Sequence, residues 1–220
     1  MQQNYNKIIG NVLFDHISEK DFSAMLACLS AFHKTYSKKE VILNQGDKIS
    51  SVGIVLKGTI TISKTDYDGN EVMIGVVSEG EMFGEIFACA EIFRSPVSVR
   101  SAIESTILFL DYGKIITTCS SSCVFHRQLI ANMLKVVANK GLYLNRRIDV
   151  ISKKTLRDKI LTYFQYESMG LKKFTIAMNR EEMARFLCAD RSALSNELSK
   201  MQKEGLIQYA KNTFEFIDVQ

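Results

Sequence analysis

The chain has 220 residues, 46% of them hydrophobic and 24% charged, with a single proline and a formal net charge of +4. That is enough apolar material for one large domain or two ordinary ones, and too little proline or low-complexity sequence for a long disordered linker. No uncharged apolar run reaches the roughly 18 residues of a membrane span, and the N-terminal MQQNYNKIIGNVLFDHISEKD lacks the basic flank and apolar stretch of a secretory signal, so a cytoplasmic protein with no membrane contact is expected.

The charge is unevenly placed. Residues 1–145 carry 14 basic and 14 acidic side chains, whereas residues 146–220 carry 14 and 10. The whole excess lies in the last third, which suits a polyanionic partner there. The five cysteines, Cys28, Cys89, Cys119, Cys123 and Cys188, are scattered and odd in number. The one close pair, Cys119-Ser-Ser-Ser-Cys123, departs from the CxxC spacing of zinc and redox sites, so reduced cysteines are expected.

Residues 1–110 open with a short helical pattern, Phe14, Ile17, Phe22, Met25, Leu26 and Leu29. Strand signals follow Lys39. In GTITIS, Ile60 and Ile62 share one face and the threonines the other. Asp68-Gly69-Asn70 separates two strand-like runs with residues that tolerate positive φ, predicting a hairpin. Recurring glycines at 46, 58, 69, 80 and 84 between short strands predict a small barrel or sandwich.

Residues 111–151 switch to a helical period. Ile130, Val137, Leu144 and Ile151 recur every seventh residue, with Leu134, Gly141 and Ile148 interleaved four residues on. That pattern fits a coiled-coil seam with a second copy, Gly141 being its weak point; the alternative is a helix packed on its own domain. Ile130, Leu134, Val137, Gly141, Leu144 and Ile148 are the expected dimer contacts.

Residues 152–220 begin with SKKTLRDKILTYFQYES, which reads as a helix capped by Ser152, with Leu156, Ile160, Leu161 and Phe164 inward. NREEMARFLCADRSALSNELSKMQKEGLI then holds two short helices at a bend. Asn179 with Glu182 forms a capping box for the first. Asp190 caps the second and Gly205 ends it. LIQYA and TFEFIDV close the chain as a hairpin turning at Lys211-Asn212. Helix, helix-turn-helix and hairpin together make a winged helix-turn-helix.

The outward side chains of the second short helix are Arg191, Ser192, Ser195 and Asn196. Arginine can pair bidentately with guanine, asparagine with adenine, and serine with either donors or acceptors. Such side chains reach the major groove from the N-terminal end of a recognition helix. Arg180 and Lys200 complete the expected DNA-binding set. No P-loop or Ser/His/Asp constellation is present, and His16, His33 and His126 are isolated, so no enzyme, catalytic residue or metal site is expected.

With these modules in this order, the chain resembles the cyclic-AMP receptor/fumarate-nitrate regulator (Crp/Fnr) family of bacterial transcription factors. The resemblance rests on NQGD (44–47), VLKGTITI (55–62), DGNE (68–71), GEMFGE (80–85), the seam helix and NREEMARFLCADRSALSNEL (179–198). It implies an α+β protein: an N-terminal double-stranded β-roll of the cyclic-nucleotide-binding type, a long dimerisation helix and a C-terminal winged helix-turn-helix. It also implies a homodimer on a palindromic operator, with RNA polymerase as a further partner. Two departures stand out in the DNA-binding part: Cys188 replaces a common glycine, and Ser192 and Asn196 replace the acidic and basic base-contacting side chains of the cyclic-AMP receptor.

In relatives that bind cyclic AMP, a Gly-Glu holds the ribose and an Arg-Ser or Arg-Thr before alanine grips the phosphate. Gly84-Glu85 and Arg94-Ser95 match that chemistry here, but the interval is one residue short and Pro96 stands at the alanine position. The effector is therefore open between cyclic AMP or a similar nucleotide, another small molecule, and none or a redox signal. Cys28 is the first cysteine and stands alone, so no iron–sulfur cluster of the family type is expected. The alternative function is a cyclic-nucleotide-binding module acting on a protein partner.

Overall fold

A computed structural model of the protein describes residues 10–117 and 124–217. Two compact units divide between Ala138 and Asn139. The Cys119–Cys123 pair lies outside the described residues, and Cys28, Cys89 and Cys188 are in no disulfide.

In the first unit, Asn11 caps a 3-10 turn at Val12–Phe14, and Ser18 caps helix α1 (Glu19–Cys28), which buries Phe22 and Met25. Eight strands follow: β1 (Phe32–Tyr36), β2 (Val41–Leu43), β3 (Ser51–Lys57), β4 (Thr59–Thr65), β5 (Glu71–Ser78), β6 (Met82–Phe83), β7 (Ser98–Ser101) and β8 (Ser105–Asp111). Helix α2 (Glu85–Cys89) interrupts them and α3 (Tyr112–Ile116) ends them. The strands form two antiparallel four-stranded sheets, ordered β1-β8-β3-β6 and β2-β7-β4-β5. Val55, Ile60, Phe83, Val99 and Ile107 form an apolar core between them. This is the expected β-roll.

Two devices set its turns. Gly58, at φ +94°, lies where a side chain would collide with Ser105 and the Glu104 carbonyl, so glycine is required between β3 and β4. The β4–β5 turn closes on Asp66, whose Oδ1 accepts from the amides of Asp68 at 3.0 Å and Asn70 at 2.8 Å. β5 is an edge strand, and its Val72, Met73, Ile74 and Val76 are all more than half exposed.

Helix α4 spans Val124–Ile151. Phe125, Leu129, Met133 and Val136 bury one face against Leu13, Phe14 and Met25. Asn132 Nδ2 donates to the carbonyls of Leu13 and Asp15 at 2.9 and 2.8 Å. The heptad set lies off this face: Ile130 and Val137 are half-buried, and Leu134, Gly141, Leu144 and Ile148 are exposed. The boundary read at 151/152 falls at the end of α4 and that read at 110/111 falls one residue before the end of β8, whereas the packing divides inside α4.

In the second unit, α5 (Leu156–Ser168) is capped by Thr155 and not by Ser152. Thr155 Oγ1 accepts from the Asp158 amide at 3.1 Å and donates to Asp158 Oδ2 at 2.7 Å. Ser152 instead donates to the Asp149 carbonyl at the end of α4. The acid three residues after Thr155 makes that cap reciprocal, which Ser152 cannot match. Then follow β9 (Lys173–Thr175), α6 (Arg180–Phe186), α7 (Arg191–Lys203), β10 (Ile207–Ala210) and β11 (Thr213–Phe216). The hairpin of β10 and β11 gains β9 as a third antiparallel strand. Phe164 anchors this unit, its ring 4.5 Å from that of Phe214 and 5.3 Å from that of Phe174. Burying each such ring contributes about 1.5–3 kcal/mol.

Candidate nucleic-acid interface and effector site

Helix α6 begins with the predicted capping box: Asn179 Oδ1 accepts from the amides of Glu181 and Glu182, and Glu182 Oε2 accepts from the Asn179 amide. It ends in a Schellman turn. The Ala189 amide donates to the Ala184 carbonyl and the Cys188 amide to that of Arg185, with Cys188 at φ +51°. Ala184, 2% exposed, leaves room for the crossing of α7. Asp190 occupies the N-cap of α7, but its side chain makes no capping hydrogen bond, contrary to expectation. The first-turn amides of α7 therefore have no side-chain cap.

Leu194, Leu198 and Met201 bury the inner face of α7 completely. Arg191, Ser192, Asn196 and Lys200 are exposed, and Ser195 is half-buried. The Ser195 hydroxyl donates to the Arg191 carbonyl at 2.9 Å, which leaves its lone pairs as acceptors. A feature with no sequence signal fixes the far side of this helix. Arg157 of α5 donates from Nε to Glu197 at 2.6 Å, and from Nη1 and Nη2 to Glu204 at 2.6 and 2.9 Å. These bonds raise the Arg157 pKa and hold the Glu204 carboxyl below its ordinary value. Lys159 adds a bond to the Leu187 carbonyl.

Arg180 lies at the start of α6, half-buried, with its guanidinium over the rings of Tyr209 and Phe214 and Nη2 donating to the Lys211 carbonyl. Burial lowers its pKa. The structure thus places the Arg180 guanidinium against the wing.

In the roll, Gly84 caps α2 in the left-handed region at φ +84°, and Glu85 is 1% exposed. The segment containing Arg94 and Ser95 is laced to NQGD. The Gly46 amide donates to the Ser95 carbonyl at 2.7 Å, and the Ser95 amide to that of Asp47 at 2.8 Å. Arg94 is exposed, its Nη1 donating to the Gly46 carbonyl at 3.1 Å. Ser95 is buried, its hydroxyl donating to the Val97 carbonyl at 2.6 Å. The guanidinium is thus available to an anion, whereas the hydroxyl is engaged within its own turn. Among the described residues no group of three or more His, Cys, Asp or Glu could hold a metal ion, and no helix is long and apolar enough to cross a membrane.

Comparison with known proteins agrees with this layout. A cyclic nucleotide-binding domain model matches residues 33–122 and a Crp-like helix-turn-helix model matches residues 156–220. The transcriptional activator protein FnrL of Cereibacter sphaeroides is 23% identical over 198 residues, covering 80% of this chain and 72% of FnrL. The cAMP-activated global transcriptional regulator Vfr of Pseudomonas aeruginosa is 30% identical over 88 residues, a stretch that spans 37% of this chain and 39% of Vfr. Among solved structures, a CooA mutant from Carboxydothermus hydrogenoformans shares the fold with a TM-score of 0.59 at 22% identity, covering 94% of this chain and 92% of that one.

Proposed function

This chain belongs to the Crp/Fnr family of transcriptional regulators, and we propose that it acts as a homodimer on palindromic DNA under the control of an effector in the β-roll. The observation that carries the reading is α7: its inner face is fully buried while Arg191, Ser192, Asn196 and Lys200 are exposed on its outer side. Ser195 adds acceptor capacity beside Arg191. Arg180 serves DNA binding through the wing, by holding the Lys211 turn.

Self-association is supported by the apolar row of Leu134, Leu144 and Ile148 on α4, flanked by Ile130, Val137 and Gly141. Exposed apolar stripes of this kind mark interaction surfaces, and the exposed edge strand β5 adds to the need for cover. The effector site is Gly84, Glu85, Arg94 and Ser95. A cyclic nucleotide is the first candidate, in line with the cAMP activation of Vfr, and α4 would carry the signal from roll to winged helix. RNA polymerase is the proposed protein partner and the cytoplasm the proposed location. The chain is read as a regulator and not an enzyme.

Selection of bound sequences from a random duplex library, with the full chain at rising salt, tests the DNA reading. The expected product is a palindrome with half-sites about 34 Å apart or a multiple of that distance. Affinity should fall steeply with salt as phosphate contacts release counterions. An unenriched library would overturn the reading and favour a module that docks on a protein.

A further inference from the structure

The winged-helix unit contains a concave site that the DNA reading leaves unused. A shallow, open groove of about 460 Å³ is lined by Tyr143 and Arg147 from the last turns of α4, and by Met178, Glu182, Arg185 and Phe186 along α6 and its approach. All of these residues belong to one compact unit. The groove has room for one small molecule lying against its wall.

The lining combines an aromatic wall with unpaired positive charge. Phe186 is 8% exposed, and the ring of Tyr143 meets it edge-on at 6.1 Å. The Arg147 guanidinium lies over the Phe186 ring at 5.8 Å. Arg147 Nε is buried and has no hydrogen-bond acceptor. Among the described residues, neither Arg147 nor Arg185 is in an ion pair. The acid at the rim, Glu182, already accepts from the Asn179 amide in the capping box. With two guanidiniums against one carboxylate the lining carries a net positive charge, and Arg147 Nε is buried without an acceptor.

We propose that this groove binds a small aromatic carboxylate, its ring against Phe186 and Tyr143 and its carboxylate accepting from Arg147 and Arg185. Planar rings favour edge-to-face and offset contact with such walls. The fork of a guanidinium matches the two oxygens of a carboxylate. Since Tyr143 and Arg147 come from α4 and the other residues from α6 and its approach, the bound molecule would fasten the last turns of α4 to the helix-turn-helix. This site is separate from the proposed nucleotide site at Arg94.

Calorimetric titration of the full chain with naphthalene-2-carboxylate tests the proposal. Saturable binding is expected, at least about tenfold tighter than that of naphthalene-2-carboxamide, which keeps the ring and lacks the charge. Arg147→Ala and Arg185→Ala should each weaken binding about tenfold, and Arg94→Ala should leave it unchanged. Arg185 is exposed, so its replacement keeps the fold even if loss of Arg147 disturbs packing on Phe186. Absence of saturable heat, equal affinity for the amide, or a loss confined to Arg94→Ala would each overturn the proposal.

Discussion

Arg180 at the first turn of α6 donates through Nη2 to the carbonyl of Lys211, 3.1 Å away at the tip of the wing. Lys211 is in the left-handed region at φ +54°, a conformation that needs outside support in a non-glycine residue. The same guanidinium lies 5.1 Å from the Tyr209 ring centre and 5.0 Å from that of Phe214. Arg180→Ala should therefore cost about 1–2 kcal/mol of stability, read by urea unfolding. The slope of log affinity for DNA against log salt should stay unchanged. A slope smaller by about one would instead put the guanidinium on a phosphate.

Arg191 is the exposed arginine at the start of α7, and no carboxylate among the described residues competes for it. Arg191→Ala should weaken binding to the selected operator by about 1–3 kcal/mol and relax preference at one position. Binding to random duplex should fall far less. Equal losses on both would remove Arg191 from base readout and make it a phosphate contact.

The parts of this molecule that the sequence made legible are those encoded within a few residues. The capping box at Asn179 and Glu182, the Asp68-Gly69-Asn70 turn, and the buried stripe of Leu194, Leu198 and Met201 all follow from local spacing. The Thr155 cap was missed because Ser152 is also a good cap by type, and the choice depends on Asp158 and on where α4 ends. β9 is three residues long, too short for alternation to register. The Arg157–Glu197–Glu204 cluster joins residues 40 and 47 apart, and the seat of Arg180 depends on a ring and a carbonyl about 30 residues away. Those pairings exist only once the helices have packed.

The heptad row on α4 predicts a clean separation between two kinds of leucine. Leu134 and Leu144 are 67% and 48% exposed, whereas Leu129 on the neighbouring face is fully buried. Leu134→Glu with Leu144→Glu should give a folded monomer by sedimentation velocity, with native helicity and weakened operator binding. Leu129→Glu should instead unfold the first unit, because a buried unpaired carboxylate is costly. A double variant that sediments as a dimer would place the interface elsewhere.

Cys188 carries a side chain at φ +51°, where the Schellman turn of α6 favours glycine. It is exposed, so little packing is lost on replacement. Cys188→Gly should stabilise the chain by about 1 kcal/mol, raising Tm by about 2–4 °C at this size. A lower Tm would mean that the thiol makes a contact stronger than the strain it imposes.

The effector prediction turns on Arg94, which is exposed and held by one bond to the Gly46 carbonyl. A ligand at 100 times its Kd stabilises by about 2.7 kcal/mol, so saturating cyclic AMP should raise Tm by about 5–10 °C. Arg94→Ala should abolish that rise while leaving the unliganded Tm nearly unchanged. Ser95→Ala should behave differently, because its hydroxyl already bonds the Val97 carbonyl inside the turn. It should lower the unliganded Tm and leave most of the nucleotide-induced rise intact. If cyclic AMP moves neither the wild-type Tm nor that of Ser95→Ala, cyclic AMP is not the effector of the roll.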